Sequence, residues 1–154
     1  MLITPKTRNL LFVAFLAASA GTLGHLVKAQ STPAPQPNPY IVEWVYKVKL
    51  GHEDEFWRIF KKYQIATLNK EKEEGGILKY DVFRPGLHTS EDHRWTYRVV
   101  IYYKTPTSGS RSGAIEKELF PDQETLRREE TQRWDLTEVH WGLPIRQIDP
   151  NTAP

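Results

Sequence analysis

The chain has 154 residues with 21 basic and 19 acidic side chains, a formal net charge of +2 and no cysteine. That length suits one domain plus a disposable segment, and the missing cysteines exclude disulfides, thiol chemistry and a lipidated cysteine anchor. Residues 1–29 hold Lys6, Arg8 and Lys28 and no acid, so without them 18 basic groups face 19 acids and the net is −1. A near-neutral domain argues against a nucleic-acid partner, whose footprint is a basic face.

Lys6 and Arg8 precede an uncharged apolar run, Leu10 to Ala20, and Val27-Lys28-Ala29 precedes Gln30. This is the layout of a secretory signal peptide cut after Ala29, with Ala18-Ser19-Ala20 as a second cutting place. The expectation is export to the periplasm or medium, with no stable membrane insertion after cleavage. The competing reading is an uncleaved anchor, against which Gly21, Gly24 and His25 interrupt the run. Residues 30–39, with four prolines, read as an extended tether. The tail, 149–154, reads as flexible.

The domain is expected over 40–148. Tyr40 to Lys49 alternates with period two, a strand that Gly51 ends. From His52 to about Lys72 a helix is expected: Glu53, Asp54 and Glu55 suit its first turn, and Phe56, Ile59, Phe60 and Tyr63 form one buried stripe. Gly75-Gly76 stops it. Ile77 to Arg84 reads as a second strand, with Leu78, Tyr80 and Val82 on one face and Lys79, Asp81 and Phe83 on the other. A loop then leads to a third strand, Arg94 to Lys104, making an antiparallel hairpin.

After a polar linker, 105–113, Ala114 to Trp134 reads as a helix divided at Pro121, buried through Ile115, Leu119 and Leu126. Glu124/Arg128 and Glu129/Arg133 are spaced as solvated pairs. Glu138 to Gln147 is the last strand, with Val139, Trp141, Leu143 and Ile145 on one face and Pro144 marking an edge. The order β-α-β-β-α-β is an α+β, ferredoxin-like plan with a four-stranded antiparallel sheet.

Four ionisable residues, Glu43, Asp81, Arg98 and His140, are expected together on the mixed sheet face, opposite the aromatic one. Glu43 and Arg98 would meet on neighbouring central strands. His140 would carry a proton and Arg98 would hold an anionic group. A charge network at a dimer contact is the plainer reading of the same four. Trp44, Tyr46, Tyr80, Trp95, Tyr97 and Trp141 read as core packing rather than a cofactor pocket. The run His88 to His93 has metal-type side chains but no distant ligand to complete a site, so it is read as a solvated loop. His52 is likewise read as an exposed turn residue. No cofactor and no metal are expected. A lone sheet covered on one side would leave Ile41, Val45, Phe83, Val100 and Tyr102 wet, so a homodimer is expected.

The segment Val42 to Trp57, a strand running into Gly51-His52-Glu53-Asp54-Glu55-Phe56 and a helix, resembles the dimeric α/β-barrel superfamily, which includes the antibiotic-biosynthesis-monooxygenase-like proteins. The resemblance extends in plan over 40–148. It implies dimers whose sheets pack face to face with helices outside, and chemistry ranging from cofactor-free oxygenation to none. The Asn/Trp/His set of the haem-degrading members has no match here. Whether the protein is an enzyme is therefore open, between a small-molecule binder or converter and a non-catalytic domain acting through protein contacts.

Overall fold

The computed structural model describes residues 38–87 and 89–152. The expected leader, most of the expected tether, His88 and the last two residues lie outside the described residues. The four strands are β1 (Tyr40–Val48), β2 (Ile77–Phe83), β3 (Tyr97–Tyr103) and β4 (Thr137–Ile145). They form one antiparallel sheet in the order β2-β3-β1-β4, the ferredoxin-like fold expected from the sequence.

The first helical segment runs as α1 (Glu53–Phe60), a π-helical turn (Lys61–Ile65) and α2 (Ala66–Glu73). Left-handed Gly51 and Gly75, with φ of +81° and +78°, shape the turns on either side. The expected stripe is the core: Phe56, Ile59, Phe60 and Tyr63 are all buried. Phe56 and Phe60 pack on Tyr46, with ring centroids 5.3 Å away in each case. Pro121 does divide the second helical segment, into α3 (Ser112–Leu119) and α4 (Gln123–Asp135). Asp122 caps α4 by accepting from Thr125 N at 3.0 Å.

Several expectations are corrected. In β2 the register shifts between Ile77 and Lys79. The bulge turns Ile77 into the core and leaves Leu78, expected beside Tyr80, half exposed. The third strand begins three residues late, because Arg94 is drawn away to Glu91, Glu138 and the Val48 carbonyl. Trp95 therefore lies outside the strand, and the Arg98 guanidinium sits over its ring at 4.7 Å. Leu119, expected inside, is partly exposed.

Arg133 was expected in a solvated pair with Glu129. Instead Glu129 binds Lys62 at 2.8 Å, and Arg133 is 2% exposed. Its fork grips Glu130 at 3.0 and 2.7 Å, and its guanidinium carbon lies 4.5 Å from the Trp134 centroid and 5.8 Å from those of Tyr46 and Phe56. Aromatic faces and a bidentate carboxylate offset the cost of burying the charge.

Phe60 stands at the centre of this core. Phe60→Ala is expected to lower unfolding free energy by about 3–5 kcal/mol, read as a shifted urea midpoint at unchanged m. A loss below about 1 kcal/mol would contradict this account of the core.

Candidate functional site

The sheet has two unlike faces. Tyr46, Val48, Tyr97, Val99, Ile101 and Tyr103 pack against the helices. On the open face, the strand register lays out three rows. Lys79, Tyr102, Ile41 and Ile145 form the first; Asp81, Val100, Glu43 and Leu143 the second; Phe83, Arg98, Val45 and Trp141 the third.

This places three of the four expected site residues on one surface. Arg98 Nε lies 3.1 Å from Glu43 Oε1, so the pair does meet across β1 and β3. The contact is ionic rather than a hydrogen bond, and buried Nε has no hydrogen-bond acceptor. Asp81 is committed elsewhere, to Lys79 Nζ at 2.9 Å.

His140 is not with them. It pairs with Tyr46 and faces the helices. The apolar alternation of β4, Val139, Trp141, Leu143 and Ile145, is the open-face set, not the core set, and Trp141 parts company with Trp44 and Tyr46. The reason lies in the edge position. On the helix side β4 has Gly142, where a Cβ would stand 3.1 Å from Trp44 Cδ1. The Trp44 indole takes the space that an apolar β4 side chain would otherwise fill.

His140 has a defined setting of its own. Its ring stacks on Tyr46 at 4.2 Å and meets Trp134 edge-on at 5.3 Å. Nδ1 lies 3.0 Å from the Val45 carbonyl. A carbonyl only accepts, so Nδ1 carries the proton and Nε2 presents its lone pair. Burial holds the imidazole pKa below its ordinary 6.5; the Val45 bond opposes this and the Arg133 charge adds to it. The neighbouring Tyr46 hydroxyl is pushed up to about 12, chiefly by burial. At neutral pH this is a neutral, oriented base beside two aromatic rings and a buried arginine. Arg133 was missed in sequence because its spacing from Glu129 matched a solvated pair, and Glu130 and Trp134 were not singled out. Gly142 opposite Trp44 was the available sign of the inverted strand.

Of the loop expected to be solvated, residues 89–93 are exposed and His88 lies outside the described residues. Glu91 holds Arg94 at 2.9 Å and Lys47 at 2.7 Å, hydrogen bonds that keep its carboxyl down at about 2. His93 Nδ1 lies 2.8 Å from Ser90 Oγ. Among the described residues no three metal-type side chains cluster. His52 is exposed beside Glu55 at 3.6 Å.

No family model matches the chain, and no curated protein sequence matches it significantly. Solved structures do match. PA3566 from Pseudomonas aeruginosa is 14% identical, covering 75% of this chain and 100% of its own, with a TM-score of 0.51. The fold resemblance drawn from the sequence holds in three dimensions. A dimeric ferredoxin-like protein from an uncultured marine organism is 8% identical over 74% of this chain and 94% of its own, with a TM-score of 0.49. SnoaB, a cofactor-independent oxygenase from Streptomyces nogalater, is 16% identical over 74% and 99%, with a TM-score of 0.45. At these identities the likeness is one of fold.

The lowered His140 pKa has a signed consequence. Below about 6.5 the unfolded chain takes up this proton while the folded chain does not, so the histidine's contribution to stability is present above that pH and falls as pH drops below it. An NMR titration is expected to place the His140 midpoint below 6.5. The stability gap between the protein and His140→Gln is expected to change between about pH 7 and 5 in that direction. A pH-independent gap would contradict the assignment.

Proposed function

We propose that this protein is an exported homodimer in which two open sheet faces pack together, and that it binds or converts a small organic molecule. One observation carries the dimer. Phe83, Val139, Trp141, Leu143 and Ile145 are each 36–47% exposed, and the last three stand in the same rows as Ile41, Val45 and Val100. Ile41, Val45 and Val100, expected to be wet, are instead buried within the subunit, so the exposed apolar surface lies on the two edge strands; apolar surface of this kind is costly in water and marks an interaction site. A two-fold contact presents the same patch twice, so it must be self-complementary. The patch meets that demand: its central charges, Glu43 and Arg98, are of opposite sign and already adjacent. In this reading Glu43, Arg98 and Asp81 are interface groups, and proton transfer falls to His140 Nε2 on the other side of the sheet. The alternative is a non-catalytic exported domain acting through protein contacts.

Light scattering at micromolar concentration is expected to give a dimer, and Leu143→Glu a folded monomer by circular dichroism. A wild-type monomer would refute the arrangement. Arg98→Met is expected to weaken the dimer without altering ligand binding. Native mass spectrometry separates the two function classes: a bound small molecule supports the first, and its absence supports the second.

Export is supported by the charged start, the short apolar run and Val27-Lys28-Ala29. Amino-terminal sequencing of the exported protein is expected to begin at Gln30. Intact Met1 on membrane-bound material would favour an anchor instead.

A further inference from the structure

We propose that Glu71 is held in the folded protein as a neutral carboxylic acid that ties the β3–α3 linker to α2, and that its ionisation loosens that linker. Neither the dimer nor a ligand enters into it. Glu71 lies near the end of α2 and is 2% exposed. Its Oε1 is hydrogen-bonded to the hydroxyl of Ser112, the first residue of α3. The same hydroxyl lies 2.8 Å from the Gly109 carbonyl, in the 3-10 turn Ser108–Arg111 that precedes α3. Glu71 and this linker share the wall of a cleft of about 310 Å³.

Counting protons assigns the state. A serine hydroxyl has one hydrogen to give. A carbonyl only accepts, so the hydrogen between Ser112 and Gly109 is the serine's, and the one between Ser112 and Glu71 comes from the carboxyl. The chain runs from the Glu71 O–H to Ser112 Oγ, and from the Ser112 O–H to the Gly109 carbonyl. An ionised Glu71 has no hydrogen to supply. Ser112 then serves either the carboxylate or Gly109, and the other contact sets two acceptors against each other. The second carboxyl oxygen gives the same answer. Oε2 is buried and has no hydrogen-bond partner among the described residues. A carboxylate oxygen left there without a donor is costly, and the carbonyl oxygen of a neutral acid is far less so.

The surrounding charges do not offset an anion. Lys70 and Glu74 stand on α2, Arg111 in the linker and Glu118 on α3, while Lys72 and Glu73 are exposed. Both nearby cations are committed: Arg111 binds Glu74 Oε2 at 2.7 Å, and Lys70 lies 3.9 Å from Glu74 Oε1 and from Glu118 Oε1. From the sheet side, Tyr103 on β3 faces Glu71, with Tyr40 on β1 beyond it; the Tyr103 hydroxyl is pushed up to about 12, chiefly by burial, and stays neutral. Burial holds the Glu71 carboxyl above its ordinary 4.5, and the Glu74 charge adds to this; a donating Ser112 would oppose both.

The test begins with a carboxyl-carbon NMR titration of the purified protein, in which the Glu71 midpoint is expected above 4.5; a midpoint at or below that value overturns the assignment. Ser112→Ala reads which partner donates. It is expected to lower the midpoint, because the neutral acid loses its acceptor. A raised or unchanged midpoint means that the serine donates to a carboxylate, and the assignment fails. Hydrogen exchange over 105–112, corrected for its intrinsic pH dependence, reads the linker. Wild-type protection is expected to fall about fivefold from below the midpoint to above it, the worth of one hydrogen bond. In Glu71→Gln the amide donates to Ser112 at every pH, and protection is expected to stay constant. No loss in the wild type, or the same loss in Glu71→Gln, overturns the release. Stability gives an independent sign. The folded chain keeps a proton that the unfolded chain gives up near 4.5, so the Glu71 contribution is full below that pH and falls as pH rises through the folded midpoint, the opposite of His140. The wild type is expected to lose stability relative to Glu71→Gln as pH rises, and a constant gap overturns the proposal.

Discussion

A four-stranded sheet with all its described helices on one side must dispose of its other face, and the organisation of the described residues follows from that. The helix side is closed by aromatic packing: Tyr46, Phe56, Phe60 and Tyr97 contact one another ring to ring. The opposite side has no layer over it among the described residues, yet Val45 is fully buried there and Ile41 nearly so, between neighbours that remain half exposed. Such a face is neither a solvated surface nor a finished core. It has the alternation of a sheet built to be covered, with one ion pair set in its middle.

Much of this was legible in sequence, because strong alternation and a wide helical stripe survive any tertiary detail. Tyr40 to Val48 could only be a two-faced strand, and Phe56, Ile59, Phe60 and Tyr63 could only be one buried stripe. Pro121 had to divide a helix. The meeting of Glu43 and Arg98 followed from strand order, since β1 and β3 are central neighbours in this plan.

What was not legible depended on which side of a strand is inside. Period two tells which residues share a face, never which face is the core. In β1 and β3 the helix side is the more aromatic, and the inference holds. At the edge, β4 reverses it: His140, Gly142 and Pro144 lie on the helix side of the sheet, because Trp44 leans across Gly142 and the helices reach only the His140 end. A single register decision thus moved His140 away from Arg98. Arg133 was misplaced for a related reason. Its spacing from Glu129 matched a surface pair, but nothing in local spacing reports that the same helical position meets four aromatic rings. The late start of β3 was equally hidden, because it depends on Arg94 reaching residues 44 positions away at Glu138 and 46 away at Val48.

The two sides of the sheet are not independent. The Val45 carbonyl that orients His140 belongs to the residue whose side chain sits at the centre of the open face. His140 and Trp141 are consecutive on one edge strand, the first stacked on the core and the second on the exposed patch. A change that displaces β4 relative to β1 must therefore move the imidazole, its hydrogen bond and the apolar patch together. An edge strand unsupported on its outer side is the least constrained part of a sheet. Covering Trp141 and Leu143 with a second copy would hold β4 from the side its own helices do not reach. The apolar open face and the oriented histidine thus depend on the same few backbone hydrogen bonds. The physical link between assembly and any chemistry at His140 is the thickness of one strand.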